Sequence, residues 1–197
     1  MPSDESRKDG AGADNPVALR RSFLGAGVSV GLLAGRGWAQ SDPAHERPKE
    51  GDLLVRVDNP GAAPLKADDL ETGVVQIMAW PMDPATKVVR DGSRLNKVLL
   101  LRLDPGVLGE TTAARAAAGV VAYSAICPHT GCEVVSWVND RQILECPCHN
   151  SQYDPKAGAR VIAGPSPRGL AALPLRLTDG QLTVAHAFIG RLGIQQL

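Results

Sequence analysis

The strongest constraint on this chain is a pair of short boxes that hold all four of its cysteines and two of its four histidines. The first is Cys127-Pro128-His129-Thr130-Gly131-Cys132. The second is Cys146-Pro147-Cys148-His149-Asn150-Ser151-Gln152-Tyr153, and sixteen residues lie between His129 and Cys146. Each box offers a thiol followed by an imidazole, as Cys-x-His and Cys-x-x-His, and each has one cysteine to spare. Two Cys and two His can hold Zn²⁺ tetrahedrally. The same donors can hold a 2Fe–2S cluster in which two imidazoles replace two thiolates on one iron. Zinc leaves Cys132 and Cys148 without a role, or must choose among six ligands. Either reading requires the boxes to meet. A strand over Val120–Ala125 leads into the first box. A hairpin of Glu133–Val138 and Gln142–Glu145, turning at Asn139-Asp140-Arg141, brings the second box back beside the first.

The pattern C-x-H-x-x-C with C-x-C-H-x-S-x-Y resembles the Rieske iron–sulfur proteins of the high-potential, disulfide-containing type. The resemblance is close over residues 121–168 and looser from about Lys97 to the C-terminus. It implies an all-β fold: a Rieske-type antiparallel β-sandwich with a cluster-binding subdomain made by the two loops. It implies one 2Fe–2S cluster, with Cys127 and Cys146 on one iron and His129 and His149 on the outer iron. It implies a Cys132–Cys148 disulfide that ties the loops together. Ser151 resembles the family's hydroxyl donor to a bridging sulfide, Tyr153 its phenol donor to a ligand-cysteine sulfur, and Gly164-Pro165-Ser166-Pro167 its shielding proline loop. Neutral imidazoles and hydrogen bonds to sulfur both make reduction easier. The implied potential is therefore in the upper part of a range of roughly −150 to +300 mV. Two positions depart from the family pattern. Thr130 replaces an apolar tip residue of quinol-oxidising members, which makes the docking tip more polar. Asn150 replaces a usual Gly, and Asn tolerates the left-handed conformation better than most side chains.

The rest of the chain fits a small β protein that is exported. At 197 residues it has room for one modest domain plus extras. Aromatic content is only 4%, so the core must be aliphatic, and 21 Gly with 15 Pro suit short strands joined by turns. Lys plus Arg balance Asp plus Glu at 21 each, and no basic stripe stands out, which argues against a nucleic-acid partner. Residues 1–39 resemble a twin-arginine signal: Arg20-Arg21-Ser22-Phe23-Leu24, an apolar stretch from Gly25 to Ala34, and a small-x-small site at Gly37-Trp38-Ala39. Residues 40–51 read as a charged, proline-containing linker and 52–197 as the Rieske domain. The expected location is the periplasm, with membrane contact only where the signal is kept as an anchor. An oxidising compartment suits a disulfide.

Further strands are predicted at Leu53–Val57, Val74–Trp80, Lys97–Leu103, Ala159–Ala163, Leu173–Leu177 and Leu182–Ala187. Thr112–Gly119 reads as a short capped helix, and residues 81–96 as a surface excursion. His45 reads as solvated, and His186 as a packed or surface histidine. There is no Ser/His/Asp candidate, no paired-carboxylate motif and no phosphate-binding glycine loop. The expectation is an electron-transfer subunit rather than a self-sufficient enzyme. Its partners would be a larger redox subunit, either a molybdenum oxidoreductase of the arsenite-oxidase type or a cytochrome bc complex, and an acceptor such as a c-type cytochrome.

Overall fold

The computed structural model describes residues 42–194. The readings made for residues 1–39, the export signal among them, lie outside the described residues. Among the described residues, ten strands form two antiparallel sheets. The larger takes β1 (Leu53–Arg56), β2 (Ile77–Met82), β3 (Val98–Arg102), β4 (Val120–Ser124), β9 (Leu175–Thr178) and β10 (Gln181–Val184) in the order β4-β3-β2-β1-β10-β9. The smaller takes β5 (Ser136–Val138), β6 (Ile143–Cys146), β7 (Ser151–Asp154) and β8 (Arg160–Ala163) in sequence order. The fold is all-β, as the boxes implied.

β3 and β4 explain how the two sheets share one molecule. A strand with one wet face alternates apolar and polar residues, whereas Val98-Leu99-Leu100-Leu101 does not. Both faces are covered. Val98 and Leu100, with Val120 and Ala122, enter one core beside Leu54, Ala79 and Leu182. Leu99 and Leu101, with Val121 and Tyr123, enter a second core beside Val134 and, from the smaller sheet, Leu144 and Tyr153. Each fully buried leucine there contributes about 1.5–3 kcal/mol from apolar burial. The second core also contains Cys127 and Cys146, so two thiols are planted in the apolar junction between the sheets. Tyr123 donates to the Pro155 carbonyl at 2.6 Å, which ties β4 to the chain just past β7.

Four sequence expectations need correction. The strand expected over 74–80 begins only at Ile77. Gly73 N–H already takes the Arg102 carbonyl at 2.8 Å, and Thr72 bridges Arg102, so Val74 and Val75 bulge out and are half exposed. The expected helix over 112–119 shrinks to α1 (Glu110–Ala113), which starts earlier. Ala117 instead exchanges hydrogen bonds with Val120 across Ala118 and Gly119, whose φ values of 49° and 78° make a tight left-handed turn. A side chain at Gly119 would meet the Leu103 carbonyl oxygen at 2.4 Å. β7 was not expected as a strand, because Ser151-Gln152-Tyr153-Asp154 has no aliphatic residue.

Residues 81–96 are more than a surface excursion. Arg90 is 1% exposed and binds both oxygens of buried Asp52, at 2.6 and 3.0 Å, and Glu46 at 2.9 Å. Those bonds, with Arg47 donating to Asn96 at 3.0 Å, hold the segment 42–51 against the domain. Among the described residues no helix is long and apolar enough to cross a membrane.

Candidate metal centre

The two boxes fold into matched loops. The Gly131 N–H donates to the Cys127 carbonyl at 3.0 Å, and the Asn150 N–H donates to the Cys146 carbonyl at 2.9 Å. In both loops the closing residue is four positions after the buried cysteine and has a left-handed backbone, φ 81° at Gly131 and 55° at Asn150. Asn150 thus adopts the conformation that its usual Gly would supply. β4 enters the first loop, and β6 enters the second directly at Cys146. The Cys132–Cys148 disulfide joins the loops across a Cα separation of 6.5 Å.

The inner half of the site is sulfur. Cys127 and Cys146 are free thiols, each 1% exposed. Burial raises the Cys146 thiol pKa above its ordinary value, and neighbouring Cys127 raises it further; the Cys148 and His149 N–H groups pull the other way. A metal ion supplies the positive charge that a buried thiolate needs. The Cys146 sulfur lies within 4.8 Å of both disulfide sulfurs. A disulfide sulfur has no thiolate charge to offer, and Cys127 is the other buried free thiol. Tyr153, fully buried on β7, places its hydroxyl 3.0 Å from Cys127 Sγ. Desolvation raises the pKa of this phenol first, with the Cys127 contact adding to it.

The outer half is nitrogen. His129 and His149 approach edge to face, ring centroids 4.6 Å apart, with their Nδ1 atoms at 3.2 Å. His149 and Thr130 are exposed, and His129 partly so. Two adjoining imidazoles and two neighbouring buried thiols, carried on loops that the disulfide joins, make a donor set of the right number and kind for a cluster with mixed ligation. The other two expected residues also come to this place. Ser151 is fully buried, and its Oγ accepts the Ser166 N–H at 3.1 Å. That bond uses the oxygen and leaves the hydroxyl proton to point elsewhere.

The proline loop lies tightly over the second box. A side chain at Gly164 would sit 2.5 Å from Ser151 Cα and 2.6 Å from the Asn150 oxygen, and φ there is +85°. Only glycine allows that approach. Sequence reasoning named this loop but missed two supports. Arg94 donates to the Gly131 carbonyl at 2.6 Å, and Arg168 donates to the Gly193 carbonyl. Neither arginine stands in a recognisable motif, so no local signal pointed to them. His45 pairs with exposed Asp42 at 3.2 Å, and His186 is exposed; both lie outside the candidate centre.

An antiparallel β fold that plants two thiols in its core and lifts two imidazoles to its edge defines a protein of the mixed sulfur–nitrogen metal class. Comparison with known proteins narrows the class. Residues 97–174 match the family described as Rieske [2Fe-2S] domain, and the chain carries such a domain, which binds one 2Fe–2S cluster.

A protein of Haloferax mediterranei named as a respiratory nitrate reductase Rieske subunit is 40% identical over 77 residues, covering 39% of this chain and 34% of the relative. The cytochrome bc1 complex Rieske iron–sulfur subunit of Mycobacterium tuberculosis is 28% identical over 152 residues, 69% of this chain and 35% of the relative. The chain therefore spans about a third of the length of these two relatives. The soluble domain of the Rieske protein II of Sulfolobus acidocaldarius superposes with a TM-score of 0.37 at 21% identity, over 49% of this chain and 68% of that one.

Proposed function

We propose that this chain is an exported one-electron carrier in which Cys127 and Cys146 hold the inner iron, and His129 and His149 the outer. The observation that supports the reading is a pair of buried free thiols and a pair of touching imidazoles, carried on two disulfide-joined loops within the residues that match a Rieske domain. A bound 2Fe–2S cluster supplies a one-electron couple at this position. The chain's own residues do the remainder. The apolar junction of the two sheets excludes water from the thiols. With Cys127 deprotonated as a ligand, the Tyr153 hydroxyl would donate to its Sγ at 3.0 Å, and a hydrogen bond to a charged acceptor is worth about 1.5–3 kcal/mol. Ser166 fixes Ser151 so that its proton is free to reach a sulfide. The disulfide and the paired loop closures hold the four ligands in place. His149 and the partly exposed His129 put the electron's exit at the surface.

Residues 1–39 act as the twin-arginine signal, and 52–197 as the domain that works in the periplasm. In this reading a larger oxidoreductase subunit, such as a molybdenum enzyme, delivers electrons and a c-type cytochrome accepts them. Thr130 at the tip supports that choice, since a hydroxyl suits a protein interface better than a quinol pocket. A second reading, a subunit of a quinol–cytochrome c reductase, is favoured by the bc1-complex relative that aligns with 69% of this chain. The test is purification of the chain, iron and acid-labile sulfide analysis, and a redox titration followed by EPR. Two irons, two sulfides and a single one-electron step are expected. Colourless protein holding one zinc would overturn the reading. Reduction by a quinol analogue, in the purified complex, would select the second partner.

A further inference from the structure

The edge that exposes the two imidazoles is bounded by four segments: 127–132, 146–151, 164–168 and 188–194. None of them contains an Asp or a Glu. Arginines do lie there. Arg94 is exposed and reaches the Gly131 carbonyl, two residues, or about 7 Å of chain at most, from His129. Arg168, in the proline loop, reaches the Gly193 carbonyl. Arg191 is exposed on the strap that carries Gly193 and Ile194, and Ile194 lies against Gly131.

Among the described residues these arginines, like Arg47, Arg115 and Arg141, have no carboxylate partner, whereas others are neutralised: Arg56, Arg90, Arg102 and Arg176 each meet a carboxylate at 3.0 Å or less. Arg94 and Arg168 are held by neutral carbonyls, which fix the guanidinium without cancelling its charge. Each guanidinium has five N–H donors; Arg94 is exposed, while Arg168 is half-buried with its Nε buried, so its open capacity is on its terminal nitrogens. The nearest acid past the first loop, Glu133, is already taken by Lys97 at 2.6 Å.

We propose that this rim is a docking surface for a carboxylate-rich face of a protein redox partner, seated over His129 and His149 by Arg94, Arg168 and Arg191. The inference rests on the one-electron reading above and names the chemistry of the partner's contact face. The local character of the charge matters. The whole chain balances 21 basic against 21 acidic residues, so net charge gives no long-range attraction. Attraction must come from the rim, within a screening length of about 10 Å at 0.1 M salt. Such a rim steers an acidic partner into the orientation that brings its redox centre to the imidazole edge.

The experiment uses the cluster-loaded full chain, reduced and mixed in stopped flow with one of two one-electron oxidants. Ferricyanide is a trianion and tris(1,10-phenanthroline)cobalt(III) a trication; each removes one electron from the protein. Raising ionic strength should slow the ferricyanide reaction and leave the cobalt reaction unchanged or faster. The triple variant Arg94→Gln, Arg168→Gln, Arg191→Gln should lower the low-salt ferricyanide rate about tenfold, at the lower end of electrostatic steering effects. The corresponding Lys replacements should restore most of it. A control triple, Arg56→Gln, Arg102→Gln, Arg176→Gln, changes net charge equally and should leave the ferricyanide rate near wild type.

A separate readout is fluorescence anisotropy with a labelled glutamate-rich dodecapeptide, which should bind wild type more tightly than the rim triple. Equal salt responses for both oxidants, or equal effects of the two triples, would overturn the proposal. A protein that neither oxidant can oxidise would defeat the electron-carrier reading instead, and the peptide measurement would still decide whether the rim binds carboxylates.

Discussion

The two halves of the centre are built by opposite means. Cys127 and Cys146 are 1% exposed and belong to the same core as Leu99, Leu101 and Leu144. His129 and His149 sit on loop tips, touch each other, and face outward beside exposed Thr130. The sulfur half is fixed by packing, and the nitrogen half by backbone closures and one covalent bridge. The lesson concerns direction. A centre buried evenly would insulate its electron, and one exposed evenly would be lost to water. Burying only the thiols gives stability on one side and a contact edge on the other.

Removing Cys146, an inner ligand in the proposed assignment, is the largest perturbation of that contrast. Cys146→Ser should leave a chain that holds no cluster, with iron falling from two per chain to near zero by metal analysis. His149→Ala should also lose the cluster, but with milder damage to the fold, because His149 is exposed. If the two variants unfolded at the same denaturant concentration, the packing asymmetry would be wrong.

Loss of the bridge comes next. Cys132→Ala with Cys148→Ala opens a loop of sequence separation 16. The chain-entropy cost for such a loop is about 3 kcal/mol. Urea unfolding should report most of that, and the cluster should become labile before the β3–β4 core melts.

A smaller effect tests the inner hydrogen bond. Tyr153→Phe removes the hydroxyl 3.0 Å from Cys127 Sγ while keeping the ring in the core. The midpoint potential should drop on the order of 60 mV, equivalent to a tenfold change in the one-electron equilibrium. An unchanged potential with an intact EPR signal would mean that the phenol only packs. Ser151→Ala should shift the potential in the same direction. It should also loosen the proline loop, since the Ser166 N–H loses its acceptor.

The smallest effect is expected at the outer tip. Thr130→Ala removes an exposed side chain, and stability should move by no more than about 0.5 kcal/mol in urea. A large loss there would mean that the tip is packed rather than presented.

Much of this was legible from residues. The uninterrupted apolar run of β3 reads as a strand because its length and flanking turns leave little else. The candidate site was legible because six Cys and His positions occur in fixed spacing; the structure pairs His129 with His149, bonds Cys132 to Cys148 and sets Cys127 beside Cys146. What escaped is what tertiary contacts decide. Thr112–Gly119 has a helical composition, but eight such residues are marginal alone, and the bond from Leu175 N–H to the Arg115 carbonyl recruits them as a turn. Ser151–Asp154 gives no apolar signal, yet it pairs on both sides because β6 and β8 offer open ladders. Buried Arg90 reads as a surface residue until Asp52 and Glu46 are found beside it.

In the proposed arrangement sulfur lies inward and nitrogen outward. Pulsed EPR of the reduced protein, grown with ¹⁵N-histidine, tests it most directly. Two strongly coupled histidine nitrogens are expected, both changing isotope signature with the label. A spectrum with no histidine coupling would contradict the account.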